Sequence, residues 1–83
     1  MKPLKFLLVE NNPTDQIAVK RFFKSQEWDH DLYIAGSFQQ ALEFLNKNSY
    51  DIVLLDQSLG DGTGLELLSK INDTPVIFIS ETS

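Results

Sequence analysis

Four short apolar runs, "KFLLV", "LYIA", "DIVLLD" and "PVIFIS", are separated along the chain by three segments of helical periodicity. No other feature constrains the fold as tightly. Strands that alternate with helices join into a parallel sheet, because each crossover must carry the chain back to the end where the previous strand began. Lys5-Phe6-Leu7-Leu8-Val9 and Asp51 to Asp56 are nearly unbroken in apolar residues, the pattern of strands covered on both faces. Leu32-Tyr33-Ile34-Ala35 alternates instead, which suits a half-exposed edge strand, and Pro75 to Ser80 forms the fourth.

The helices announce themselves by their starts. In "NNPTD", Asn12 is placed to cap a helix, Pro13 suits its first position and Asp15 its first turn. Ala18 with Phe22 and Val19 with Phe23 give that helix an apolar face, and the pattern runs to about Gln26. Ser37 with Gln40 three residues on is the spacing of a capping box, followed by Phe38, Ala41, Leu42 and Leu45 at helical intervals. Leu65 to about Asn72 forms the third helix, with Leu67, Leu68 and Ile71 on one face.

An edge position beside the first strand for the second leaves the first strand's other side to the third, giving the order 2-1-3-4. Right-handed crossovers then put the first helix on one face and the next two on the other. The winding reverses between strands one and three, and open parallel sheets bind ligands there, beyond the carboxyl ends. Those tips carry Glu10-Asn11 and Asp56. A buried run ending on a carboxylate, with the glycine-rich loop "QSLGDGTG" behind it, marks the candidate site.

Length and charge narrow the functions. The 83 residues make one domain, 1–83, with a thin stability margin, since so short a chain buries only roughly 60–65% of its unfolded surface. A net charge of −5 opposes nucleic-acid binding, and the lack of cysteine excludes disulfides and thiolate metal sites. No apolar run is long enough to span a bilayer, and the N-terminal run lacks a cleavage site and meets Glu10 directly, so a cytoplasmic location is expected.

The pieces "FLLVENNPTD", "AGSFQQALEFL", "YDIVLLDQSLGDGTGLELL" and "TPVIFIS" closely resemble the receiver domain of two-component response regulators, a CheY-like, flavodoxin-like α/β fold. The resemblance implies that Asp56 accepts a phosphoryl group from a histidine kinase or phosphotransfer protein. It further implies that Mg²⁺ is held by Glu10, Asn11, Asp56 and the backbone carbonyl of Ser58, and that the Ser80 hydroxyl hydrogen-bonds the phosphoryl group. Such a domain is a signalling phosphoacceptor rather than an enzyme. The chemistry is coherent on its own terms: phosphoryl transfer asks for positioning and charge neutralisation, clustered carboxylates call for a hard cation, and glycines such as Gly62 and Gly64 let backbone approach an anion.

Three departures from the family pattern qualify that expectation. Asn11 stands where an aspartate usually ligates the metal, which lowers the expected metal affinity, and Gly60 replaces a common proline. The resemblance also ends at the fourth strand, as in the N-terminal two-thirds of a receiver without the usual fifth strand and last two helices. The family's phosphoryl-pairing lysine has no counterpart, since Lys70 lies inside the third helix. The alternatives are therefore a receiver-like interaction module that never turns over phosphate, or an excised or engineered fragment. An apolar fourth strand left as a sheet edge further suggests a homodimer through that edge. Elsewhere, Asp61 reads as a solvated turn residue, His30 as a solvated loop histidine and Trp28 as packing the end of the first helix. "GDGTG" lacks the third glycine and the position of a dinucleotide-binding loop.

Overall fold

The computed structural model describes residues 2–56, 59–71 and 73–79. Its elements run β1 (Leu4–Val9), α1 (Pro13–Lys24), β2 (His30–Ala35), α2 (Phe38–Lys47), β3 (Ile52–Asp56), α3 (Gly64–Leu68) and β4 (Val76–Ile79). The four strands form one sheet in the order β2-β1-β3-β4, every pairing parallel, as the alternation of elements requires.

The helix starts follow the capping chemistry. Asn12 Oδ1 accepts from the Thr14 and Asp15 N–H groups at 2.9 and 3.4 Å, with Pro13 at the first position. Ser37 Oγ accepts from the Gln40 N–H at 3.0 Å, but the Gln40 side chain reaches one residue further back than a reciprocal box would, to the Gly36 N–H at 2.6 Å. At α3 the cap is Thr63, which accepts from the Glu66 N–H at 3.2 Å while its own hydroxyl donates to the Glu66 carboxylate.

Several boundaries differ from the expected ones. Helix α1 ends at Lys24, because the Gln26 N–H turns back to Phe23 in a tighter last turn. Strand β2 begins two residues early, since His30 pairs with Leu4. His30 is therefore no solvated loop residue: half-buried, its ring lies 4.9 Å from Trp28 and 5.2 Å from Phe23, and Nδ1 is 2.9 Å from the Trp28 carbonyl. Helix α3 stops at Leu68 instead of continuing towards Asn72, which lies outside the described residues; the Lys70 and Ile71 N–H groups reach only three residues back. Leu67 is buried as expected and Ile71 packs against the core, while Leu68 is exposed.

The two faces of the sheet are covered unequally. Leu7, Val9, Val53 and Leu55 point to one side and pack with Ala41 of α2, Leu59 and Leu67 of α3 into the main core. Among the described residues the other side is met by α1, where Phe6 packs edge-on against Phe23 at 4.8 Å and against Trp28 at 5.6 Å. Beside them an apolar hollow of about 410 Å³ is lined by Phe6, Ala18, Val19, Phe22, Phe23, Trp28 and Leu54. Strand β3, expected to be covered on both faces, buries Val53 and Leu55 but leaves Ile52 and Leu54 half-buried, and Leu54 opens onto that hollow.

Phe23 is the buried member of α1 and joins it to Phe6, Trp28 and His30. Phe23→Ala is expected to lower stability by about 3 kcal/mol. Phe22→Ala, at a ring 59% exposed, should cost under about 1 kcal/mol. Urea unfolding followed by Trp28 fluorescence measures both.

Candidate functional site

The parallel ladder builds the site. Val9 lies opposite Leu55, so the next residues on the two strands, Glu10 and Asp56, leave the sheet side by side. Glu10 is held on both flanks by backbone contacts: its N–H donates to the Ala35 carbonyl at 3.0 Å, and its own carbonyl accepts from Gln16 Nε2 at 2.6 Å. Its carboxylate accepts from the Asn12 N–H at 3.2 Å. Glu10 is only 3% exposed, the one charged residue that is buried among those described.

Burial is the main reason that the Glu10 carboxyl is pushed up to about 7. The Asn12 N–H opposes the shift, while a hydrogen bond with the Asp56 side chain and the negative charges of Asp56 and Asp15 add to it. The two strand-tip acids therefore share one crevice, and Glu10 keeps its proton well above the usual carboxylate range.

The model of the response regulator receiver domain matches residues 6–83. The chain belongs to this family. Among its relatives, the transcriptional regulatory protein TrcR of Mycobacterium tuberculosis is 30% identical over 94% of this chain, and the autoinducer 2 sensor kinase/phosphatase LuxQ of Vibrio vulnificus is 37% identical over 86%. This chain spans 31% of the former and 8% of the latter. Among solved structures, the Mn²⁺-bound response regulator Rcp1 matches with a TM-score of 0.87 at 28% identity, covering 96% of this chain and 67% of that one. The response regulator MaeR bound to beryllium trifluoride matches with a TM-score of 0.82 at 27% identity, covering 96% and 69%. The four-stranded order 2-1-3-4 is that of this CheY-like, flavodoxin-like fold.

Of the residues singled out in the receiver sequence, Glu10 and Asp56 meet. Asn11 is exposed, and its Nδ2 lies 3.5 Å from where a Cβ on Gly60 would stand. Ser58 and Ser80 lie outside the described residues. The donor set suits a hard divalent cation. Among the described residues no three His, Cys, Asp or Glu side chains are grouped to hold a metal; the acids that meet are Glu10 and Asp56, hard oxygen donors of the kind a divalent cation takes. The Asp15 charge also acts on Glu10, and its buried Oδ2 has no hydrogen-bond partner among the described residues.

Two residues play parts that a reading of the sequence misses. Asp15 looks like an ordinary first-turn acid, yet its charge acts on Glu10. Asp61 is exposed in its turn, as expected, but it also caps α2: Oδ1 accepts from the Phe38 N–H at 2.8 Å and Oδ2 from the Gln39 N–H at 3.2 Å. These partners lie 23 and 22 positions away, so no local pattern signals them.

The raised pKa fixes the sign of a pH effect. Folded Glu10 binds its proton more tightly than the unfolded chain does, so its contribution is fully present below about pH 4.5 and is lost as pH rises through about 7. In metal-free solution Glu10→Gln is expected to flatten that fall and to raise stability at pH 7.5 by about 1–2 kcal/mol, read from urea midpoints at pH 5 and 7.5.

Proposed function

We propose that this chain is a phosphoacceptor receiver module of two-component signalling, folded as one domain, in which Asp56 takes a phosphoryl group from a phosphohistidine of a kinase or phosphotransfer protein. The observation that carries the reading is the meeting of buried Glu10 with Asp56 at the point where the sheet reverses its winding. In the transfer an Asp56 carboxylate oxygen forms the new bond to phosphorus, the P–N bond breaks, and its electron pair returns to the donor imidazole. The chain modifies its own aspartate and is not a turnover enzyme for an external substrate.

Glu10, Asn11, Asp56 and the Ser58 carbonyl would hold Mg²⁺, which when bound supplies neutralisation of the charge gathering on the phosphoryl oxygens. Rcp1 in its Mn²⁺-bound form and MaeR bound to beryllium trifluoride support this assignment. Glu10 supplies charge from a rigid strand end, and the Asn12 N–H keeps its carboxylate oriented. Ile79 pairs with Asp56 across the ladder, and the hydroxyl of Ser80, the next residue in sequence, would donate to the phosphoryl group. The cytoplasm is the expected compartment for such a partner, and among the described residues no helix is long and apolar enough to cross a membrane.

A second reading, an interaction module that never carries phosphate, is favoured only by Asn11, whose neutral amide weakens the cation site. Phosphorylation itself separates the two. With Mg²⁺ and a small acyl phosphate donor, the protein is expected to gain the mass of one phosphoryl group, and Asp56→Ala to gain none. No gain, or a gain that persists in Asp56→Ala, contradicts the assignment.

β4 pairs only with β3 among the described strands and exposes Ile77 and Phe78, so its free edge supports pairing with a second copy. Sedimentation equilibrium should then show a dimer that Ile77→Lys converts to monomer; a monomeric parent protein would remove the idea.

A further inference from the structure

The loop behind Asp56 is fastened to a helix that takes no part in the acid pair. Leu59, 2% exposed, plugs the core three residues after Asp56, and its N–H donates to the Gly62 carbonyl at 3.3 Å to close a turn. Gly60, at φ +81°, lies against the Asn11 side chain. A Cβ on Gly62 would fall 2.7 Å from the Phe38 ring, so the loop backbone presses directly on the first residue of α2. Asp61 then spans the first two free N–H groups of that helix, and Ser37 satisfies the third.

We propose that Asp61 is a positioning residue for phosphoryl transfer, clamping the loop that follows Asp56 to the N-terminus of α2 so that its backbone stays in register with the strand-tip acids. The inference rests on reading Asp56 as the phosphoacceptor. A cap taken from within α2 would serve helix stability equally well, and Ser37 already provides one; Asp61 differs in tying the helix to the loop. The two backbone N–H groups hold its carboxyl below the usual range, so the clamp carries full charge at neutral pH. A loop freed at this point shifts against Asp56, and small misplacements of reacting groups are costly in rate.

The test compares phosphorylation rates at saturating Mg²⁺ across a range of acyl phosphate concentrations. Asp61→Ala is expected to lower the maximal rate about tenfold, with the half-saturating donor concentration changed less than about twofold. Asp61→Asn, which keeps one acceptor oxygen, should fall between Asp61→Ala and the parent protein. Ser37→Ala weakens the same helix terminus without touching the loop and should keep the parent rate, with folding of each variant checked by circular dichroism. A parent-like rate in Asp61→Ala, or an equal loss in Ser37→Ala, overturns the proposal. Should Asp61→Ala fail to fold, a parent-like rate in Asp61→Asn overturns it instead. A parent protein that takes up no phosphoryl group overturns the reading of Asp56 and this inference together, whereas normal phosphorylation with an indifferent Asp61 overturns this inference alone.

Discussion

Parallel pairing of β1 with β3 decides where each chemical group of this protein comes to rest. With Val9 opposite Leu55, the residue after each emerges at the same edge of the sheet, and both are acids. A shift of one residue would turn either Leu7 and Val9 or Val53 and Leu55 away from the core they share, so the register is fixed by burial. The acid pair has no freedom to separate. Its repulsion is imposed by the same hydrophobic core that stabilises the fold.

That arrangement works against stability in the absence of a cation. Glu10 is nearly sealed from water, and the charged groups acting on it, Asp56 and Asp15, carry its own sign. Local conflict of this kind, in a molecule otherwise consistent from caps to core, is what a functional site looks like in physical terms. The caps, by contrast, agree with the sequence around them: Asn12, Ser37 and Thr63 each satisfy donors at a helix start.

Much of this was legible in the residues. Continuous apolar runs identified β1 and β3 as inner strands, the alternating "LYIA" identified an edge, and together these fixed the order 2-1-3-4 and the meeting of two strand tips. The reading failed where partners are distant in sequence. His30 reads as polar linker until its pairing with Leu4 is known, and Asp61 reads as turn until α2 is placed beside it. Thr63 and Glu66 carry a capping-box spacing that is legible in the sequence, although Gly62 and Gly64 on either side of Thr63 suggest a loop. The length of α3 was overestimated for a related reason: the periodic leucines continue past Leu68, but the chain there has already tightened into turns. Half-burial of Leu54 was equally hidden, since strand periodicity does not tell how many helices cover a face.

The claim beneath the whole account is that Glu10 and Asp56 share one crevice, where the Asp56 charge holds the Glu10 pKa up. Carboxyl carbon chemical shifts, followed from pH 3 to 9 in metal-free solution, test it most directly. The Glu10 resonance is expected to titrate near pH 7, and Asp56→Asn to bring that transition down. A Glu10 transition at the ordinary carboxylate value, or one that Asp56→Asn leaves unmoved, would contradict the shared crevice.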